Sequence, residues 1–297
     1  MNEMDNQRKA EKTINILAVL VIIIAAVCSV VPLITKGAIP EETVTSTFGQ
    51  TVTLYGKGLY ARNSESSAVQ AIAQDLVTLI VVIPGMIVSL ILVYKKHVLG
   101  RYILTGLFGY MLYTYMSYAF LMIYNELFLL YVAAMTISFY GLVMNICILQ
   151  KDEVVAKLEK EMKTKGLRVF LIISGIAIFF MWSGRIFQSL LRGEVPEGLD
   201  NCTTLVIQAM DLGIIVPACF VIAYLLKHKI RLGYILGPVI IVKAVTLITA
   251  VVTMGIFQII AGVEGNVAFL LVFGGIFVVS YIYLFLVLRQ VVRISKK

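Results

Sequence analysis

Residues 75–94 read DLVTLIVVIPGMIVSLILVY, an apolar stretch in which Asp75 is the only acidic or basic side chain. A helix needs about 20 such residues to cross the hydrocarbon core of a bilayer. Similar windows lie along the chain at residues 13–34, 102–123, 128–149, 169–191, 207–226, 232–257 and 267–288. The sequence therefore predicts an all-α polytopic bundle of eight transmembrane helices.

The composition of the whole chain also indicates a membrane protein. Of its 297 residues, 60% are hydrophobic and 14% are charged, whereas soluble domains have about 45 to 50% apolar and about 25% charged residues. The mean hydropathy is +0.95. These values exclude a soluble enzyme with one anchor, a nucleic-acid-binding domain and a disordered protein. The net charge of +8 therefore does not indicate nucleic acid as a partner, and the lipid bilayer is the predicted partner.

The positions of the basic residues predict the orientation, because an excess of Lys and Arg in short loops marks the cytoplasmic side. One set of loops, which includes the N-terminus and the tail that ends at Lys297, contains 19 of the 25 basic residues. The loops on the opposite side contain Lys36, Lys57, Arg62 and Arg192. Both termini are therefore predicted to be cytoplasmic.

The two halves of the chain resemble each other in sequence. QDLVTLIVVIP at residues 74–84 is echoed by MDLGIIVP at residues 210–217. Two parallel four-helix repeats are therefore predicted, with a linker between them that reads as an amphipathic cytoplasmic helix. The predicted divisions are 1–150 for the first repeat, 151–168 for the linker and 169–297 for the second repeat.

Two prolines and one loop add detail to this arrangement. Pro84 and Pro217 occupy matching repeat positions and are predicted to kink the second and sixth helices. The outer loop, residues 35–74, contains Thr51–Tyr55 and Leu59–Arg62 on either side of a glycine turn, a pattern that predicts a β-hairpin. An isolated hairpin is marginal in water, so we expect it to rest on the outer ends of the helices and cap a pocket.

Several of these patches together resemble a known family. They are LYGKGLY at 54–60, QDLVTL at 74–79 followed by Pro84, YNELFLLYVA at 124–133 and DLGIIVP at 211–217. In these motifs the chain resembles a family of uncharacterised bacterial polytopic membrane proteins. The resemblance implies a bacterial origin, the plasma membrane and the predicted topology, and it implies no activity.

Three ionisable side chains fall inside predicted helices, where a charge costs roughly 2.5 to 3.5 kcal/mol and therefore indicates function. Arg185, Asp211 and Lys243 all lie at or above the predicted midplane, toward the outside. If they meet, Arg185 and Lys243 would hold an anion and Asp211 would orient them, with Tyr110 and Tyr113 lining the wall. The alternative is an ion pair that only fixes helix register, with tyrosines that bond neighbouring helices.

Asp75, the predicted repeat counterpart of Asp211, is expected to cap the N-terminus of the second helix. The four cysteines have neither metal-binding nor disulfide spacing, and His97 and His228 lie in predicted cytoplasmic loops. The sequence contains no nucleotide-binding or hydrolase motif. No metal, cofactor or catalytic residue is therefore predicted.

These features predict an integral membrane protein that binds or transports a small anionic or amphipathic molecule through an outward-facing polar pocket. The alternative is a non-transporting membrane sensor or assembly subunit in which the intramembrane charges are structural. Its hairpin or linker helix would then contact a membrane protein partner or a second copy of the chain. A membrane enzyme is the least favoured class, because the sequence has no evident nucleophile and base.

Overall fold

The computed structural model describes residues 3–263 and 267–296, so the predictions for residues 1–2, 264–266 and Lys297 lie outside it. In the described residues, seven helices are long and apolar enough to cross a membrane. They are Asp5–Ile34, Glu65–Tyr94, Phe128–Leu149, Lys165–Arg192, Val206–Lys227, Arg231–Ala261 and Leu270–Ser295. This confirms the predicted class, a multi-pass helical membrane protein with a small antiparallel sheet.

Helices account for most of the described residues. The first half contains α1 (Glu3–Ile34), β1 (Thr43–Thr45), β2 (Thr51–Thr53), α2 (Glu65–Val77), α3 (Ile83–Tyr94), α4 (Val98–Leu121) and α5 (Phe128–Leu149). The second half contains α6 (Glu153–Glu161), α7 (Lys165–Arg192), α8 (Val206–Met210), α9 (Val216–Lys227), α10 (Arg231–Ala261) and α11 (Val267–Ser295). Two π-helical turns, Thr78–Val82 and Asp211–Ile215, join α2 to α3 and α8 to α9.

Helix α4 has 24 residues and lies inside the bundle, although it is not among the seven apolar helices. Its mean hydropathy is lowered by Tyr102, Tyr110, Tyr113, Tyr115 and Tyr118. All five tyrosines are buried, because their rings pack against neighbouring helices rather than face lipid. The helix is therefore a central element of the core.

Helices α4 and α10 cross at the centre of the bundle, where glycines allow a close approach. A Cβ added at Gly106 would lie 2.5 Å from the Cβ of Val242 and 2.9 Å from the carbonyl oxygen of Val239. One turn further along α4, a Cβ added at Gly109 would lie 3.5 Å from the Cγ of Lys243. The crossing therefore places Lys243 against α4.

Pro84 and Pro217 each come one residue after a π-helical turn, separated from it by Ile83 and Val216 respectively. The amide of the residue before each proline bonds to the carbonyl five residues back, which belongs to Thr78 in the first half and to Asp211 in the second. A π-turn shifts the hydrogen-bond register by one residue, and this accommodates the ring and the missing amide of the proline. The disturbance predicted as a kink thus takes the form of a widened turn in both spans.

The short turns that follow α3 and α9 share one geometry. Lys96 and Lys229 adopt left-handed φ values of 54° and 55°. The amide after each lysine donates to the carbonyl five residues back, at 2.8 Å and 2.9 Å. Four residues after each lysine, a Cβ added at Gly100 or Gly233 would lie 2.6 Å or 2.8 Å from a backbone nitrogen of the preceding helix. Both turns therefore require glycine at this position.

The predicted hairpin in the outer loop is present, but its second strand is not the predicted one. Strand β1 pairs antiparallel with β2, with Thr43 opposite Thr53. The predicted second strand, Leu59–Arg62, is not extended, because Gly58–Tyr60 forms a 3-10 turn. This turn directs Tyr60 into the bundle, where it is 1% exposed. Burial of this ring outweighs the local pattern that favours a strand.

The predicted linker helix is present as α6, and it docks on the bundle. Asp152 caps its N-terminus, and its apolar stripe, which includes Val155 and Leu158, is buried. Arg231, the first residue of α10, forms an ion pair with Glu159 at 3.0 Å. The linker is therefore a fixed part of the end of the bundle at which α10 begins.

Candidate functional site

The first polar cluster inside the bundle is centred on Asp75, in α2. Its side chain is 2% exposed, and its carboxylate accepts hydrogen bonds from the hydroxyls of Tyr60 at 2.8 Å and Tyr118 at 2.9 Å. The prediction that Asp75 caps the helix was wrong, because α2 begins at Glu65 and its cap is Ser64. Asp75 therefore lies well inside the span.

Four tyrosine rings surround this carboxylate. Tyr118 contacts Tyr60, Tyr115 and Tyr131 edge to face, with centroid distances of 6.4, 5.9 and 5.3 Å. Tyr60 belongs to the outer loop, and its burial raises the pKa of its phenol well above the usual range. Its hydroxyl therefore remains protonated and acts as a hydrogen-bond donor to the carboxylate.

Tyr110, predicted to line the ligand pocket, lies in the first half. It is 0% exposed, and its hydroxyl is 3.3 Å from the hydroxyl of Thr78. Thr78 begins the first π-turn, as Asp211 begins the second. Tyr110 thus lies beside the first residue of the first π-turn. As described below, Lys243 lies near the first residue of the second π-turn, Asp211.

The second polar cluster is centred on Asp211. One carboxylate oxygen accepts from the hydroxyl of Tyr113 at 2.8 Å, and the other accepts from the indole Nε1 of Trp182 at 2.8 Å. These donors come from α4 and α7. The Asp211 carboxylate therefore ties a helix of the first half to two spans of the second half.

Lys243, in α10, lies beside this second cluster. It is 6% exposed, and its Nζ is 4.2 Å from the centroid of the Tyr113 ring. Within the described part of the chain, no atom accepts a hydrogen bond from this nitrogen. Asp211 attracts the ammonium group electrostatically, but Tyr113 lies between them and no direct hydrogen bond forms. An ammonium group has three donors, so this one is buried with its hydrogen-bonding capacity unused.

Arg185 does not join the other two charges. Its Nε forms an ion pair with Glu197 at 3.4 Å, and its side chain is 44% exposed. The guanidinium lies 5.6 Å from the centroid of the Trp182 ring. The predicted meeting of Arg185, Asp211 and Lys243 is therefore not formed, because the arginine near the C-terminal end of α7 turns toward a carboxylate in the following loop.

Trp182 and Tyr60 are residues of these clusters that the sequence prediction did not place in a site. Trp182 is the only tryptophan, and it precedes Arg185 by three residues, so both lie on one face of α7. That spacing next to an intramembrane charge is a signal that could have identified Trp182. Tyr60 lies in an outer loop, and no local pattern indicates that it reaches Asp75.

The outer connections of the two halves are bonded to each other. Ser64 Oγ donates to Asp200 at 2.5 Å, and Asn201 Nδ2 donates to the carbonyl of Arg62 at 3.0 Å. A cleft of about 470 Å³ lies beside these bonds, between the hairpin and the second-half loops. Its lining does not include Lys243, so this cleft is separate from the second polar cluster.

Cys202 lies among these outer contacts, and we expect it to react slowly with alkylating reagents. Its thiol donates to the carbonyl of Leu121 at 3.6 Å. Burial, with a smaller contribution from Asp200, raises the pKa of this thiol from 9.0 to about 11. The thiolate is the reactive form, so near pH 8 about one thiol in 1,000 is reactive, against about one in 10 for an unperturbed thiol.

Alkylation by iodoacetamide can test this expectation in a variant that retains Cys202 alone. The initial rate should rise about 100-fold between about pH 8 and about pH 10 in the folded protein, and about 10-fold in the detergent-denatured protein. Asp200→Asn serves as the matched variant and should lower the midpoint of the folded profile. Identical profiles before and after denaturation would contradict the raised pKa of the Cys202 thiol.

The comparisons with known proteins and the search for metal ligands found no established site. No family model, no curated protein and no solved structure matches the chain. Among residues 3–263 and 267–296, no group of three His, Cys, Asp or Glu side chains is placed to hold a metal ion. The resemblance to a family of uncharacterised bacterial membrane proteins stays a prediction, and the structure supports the class of multi-pass helical membrane protein.

Proposed function

We propose that this protein binds a small anionic or amphipathic molecule at Lys243, between its two halves. The observation that carries the proposal is the Lys243 ammonium group, which is 6% exposed and has no hydrogen-bond acceptor in the described chain. Burying such a group without an acceptor is costly. A carboxylate, phosphate or carbonyl oxygen of a ligand would supply the acceptor. The resulting hydrogen bond would be strong, because its donor is charged.

The surrounding charges favour a ligand with one polar group on an apolar body. Both oxygens of Asp211 already accept from Tyr113 and Trp182, so this carboxylate is occupied. With Arg185 paired elsewhere, Lys243 and Asp211 together carry no net charge. A multiply charged anion would therefore gain less here than a molecule with a single acidic or carbonyl group, because the site offers one cation beside one fixed anion.

We infer that α4 is an eighth membrane span. With 24 residues, it is about 36 Å long at about 1.5 Å per residue, enough to cross the hydrocarbon core of about 30 Å. Turns of three residues, 95–97, and six residues, 122–127, connect it to spans on both sides. Its tyrosines are shielded from lipid by neighbouring helices, so their polarity does not prevent insertion.

We also infer that the two halves are parallel repeats. Features that recur 133 residues apart support this: the π-turns at Thr78 and Asp211, Pro84 and Pro217, the left-handed Lys96 and Lys229, and the close-packed Gly100 and Gly233.

At the same spacing, Gly106 directly approaches Val239. A residue that contacts its own counterpart lies on the axis relating two repeats, so the axis runs between α4 and α10. This spacing makes Thr78, rather than Asp75, the counterpart of Asp211.

The repeat arrangement supports the location of the site. In duplicated membrane bundles, ligand sites lie near the interface of the repeats, and Lys243 lies at the α4–α10 crossing. With eight spans, both termini lie on one side, and the 19 of 25 basic residues on that side assign it to the cytoplasm. We propose the bacterial plasma membrane as the location, with the bilayer as the surrounding partner.

One observation favours a second function, a non-transporting sensor or assembly subunit. Only 11% of the apolar window in each of α7 and α11 is buried inside the bundle. These two helices therefore present broad apolar surfaces that lipid, a membrane protein partner or a second copy of the chain would cover. In that case the bonds from Tyr113 and Trp182 to Asp211 fix helix positions and no ligand is needed.

Labelling of a single cysteine tests the proposed site. Lys243→Cys is introduced after the four native cysteines are replaced by alanine, and an impermeant maleimide is added to right-side-out and inverted vesicles. We expect position 243 to react, because a ligand site must open to water. Reaction from both sides supports a transport pathway, and reaction from one side supports a receptor pocket.

Two control positions make the outcome decisive. Ile241→Cys lies two residues away on α10, in a side chain that is 0% exposed, and should stay unlabelled. Tyr124→Cys, at a side chain that is 78% exposed, should react from the outside alone. If position 243 stays unlabelled from both sides in a folded protein, the ligand site is wrong and the structural function is favoured.

A further inference from the structure

Asp75 is a buried carboxylate without a cation. It is 2% exposed, and none of the ion pairs in the described chain includes it. The groups that face it from the packed elements are neutral side chains: Tyr60 of the outer loop, Tyr110, Tyr115 and Tyr118 of α4, Tyr131 of α5, and Cys28 and Ser29 of α1. The basic residue of α10, Lys243, faces Tyr113 instead. A lone buried charge of this kind is costly.

Two unpartnered hydroxyl groups provide the second observation. Ser29 Oγ and Tyr131 Oη belong to side chains that are each 1% exposed, and neither has a hydrogen-bond partner among the described residues. The Ser29 hydroxyl lies beside the Asp75 carboxylate, and the Tyr131 ring packs 5.3 Å from the ring of Tyr118. A hydroxyl oxygen can accept a hydrogen bond. A protonated carboxyl group is a donor that needs such an acceptor, and the Ser29 oxygen is the one that lies beside Asp75.

We propose that Asp75 is a proton-binding site and that Ser29 supplies the acceptor for the protonated carboxyl group. The proton leaves a hydronium ion of the aqueous phase: the O–H bond of that donor breaks, one O–H bond forms with a carboxylate oxygen, and a water molecule remains. A proton fits better than a metal ion, because the hydroxyl hydrogens of Tyr60 and Tyr118 already point at the carboxylate oxygens. Those hydrogens would have to turn away before the same oxygens could surround a cation.

Proton binding at Asp75 has a direct structural readout in the outer loop. Tyr60 holds this loop in the bundle through its bond to the carboxylate, at 2.8 Å. A bond to a charged acceptor is roughly twice as strong as a bond between neutral groups. Protonation therefore loosens the loop, and deprotonation fastens it. This inference does not rest on ligand binding at Lys243.

Infrared difference spectroscopy of the full chain in detergent tests the proposal. Lowering the pH should produce the C=O stretch of a protonated carboxylic acid, and one component of this band should be missing from Asp75→Asn. Asp5→Asn, which removes an exposed aspartate of α1, is the matched control and should retain that component. Identical wild-type and Asp75→Asn spectra would overturn the proposal.

Tyrosine variants keep the test decisive even where Asp75→Asn fails to fold. Tyr60→Phe and Tyr118→Phe each remove a bond to the charged form, so each should move the midpoint of the Asp75 component upward by about one pH unit. Tyr102→Phe, a 0% exposed tyrosine of the same helix as Tyr118, should leave it unchanged. A midpoint unmoved by both bonding variants, or displaced by sodium ions at constant ionic strength, would refute proton binding. Because no ligand is added, these results are independent of the labelling at position 243.

Discussion

Replacing Gly106 with alanine is expected to lower the free energy of unfolding by about 1 to 3 kcal/mol, although alanine is the better helix former. The added Cβ would lie 2.5 Å from the Cβ of Val242 and 2.9 Å from the carbonyl oxygen of Val239. Val242 is β-branched and stiff, and the carbonyl belongs to the backbone of α10. Neither group can turn aside, so the two helices must separate.

Gly109→Ala provides the matched control for this prediction. Its added Cβ would be 3.5 Å from the flexible side chain of Lys243, an ordinary van der Waals contact. We expect this variant to be as stable as the wild-type protein or slightly more stable. Thermal unfolding in one detergent measures both variants. Equal losses at the two glycines would show that the α4–α10 crossing is not close-packed at Gly106.

The second large effect is expected at the Asp211 cluster. Asp211→Ala should destabilise the fold by about 3 kcal/mol, because it leaves the donors of Tyr113 and Trp182 unpaired and removes the carboxylate that attracts Lys243. Lys243→Met should cost much less, since it replaces an ammonium group without an acceptor by an apolar side chain of similar length.

A double-mutant cycle separates these contributions. In the Lys243→Met background, Asp211→Ala should cost at least about 1 kcal/mol less than it does alone, because no buried cation then remains. Denaturation in a detergent series gives the four free energies. Ile241→Val, also in α10, is the control and should be additive with Asp211→Ala. Full additivity for the Lys243 pair would mean that the two charges do not interact across Tyr113.

The positions of the helices could be predicted from the sequence, because a long apolar run has few stable arrangements in a bilayer. Each predicted window coincides with one helix or with two helices joined by a π-turn, and the window at residues 102–123 overlaps α4, Val98–Leu121. The functional residues were harder to predict. Counting along a helix gives the height of a side chain but not its direction, so Arg185 could be placed level with Asp211 and still point to Glu197.

Tertiary packing explains the other departures from the sequence prediction. Asp75 was expected at a helix end, because the apolar run begins there, whereas Ser64 and Glu65 begin the helix three turns earlier. Polar residues between them bond to neighbouring helices, because Gln74 donates to Thr114 of α4 at 2.6 Å and Gln258 of α10 donates to Ser66 at 3.1 Å. No local pattern shows these contacts. Likewise, the run Leu59–Arg62 suits a strand, but Tyr60 forms its bond to Asp75 from a 3-10 turn.

The three-residue turn between α3 and α4 has a consequence for how the protein is made. A tyrosine-rich segment such as α4 partitions weakly into lipid when it leaves the ribosome and meets the membrane alone. Lys96, in its left-handed conformation, folds α4 back against the strongly apolar α3 at once. We therefore expect the two segments to enter the bilayer together as a helical hairpin. The favourable free energy of transferring α3 into lipid then offsets the weak partitioning of α4.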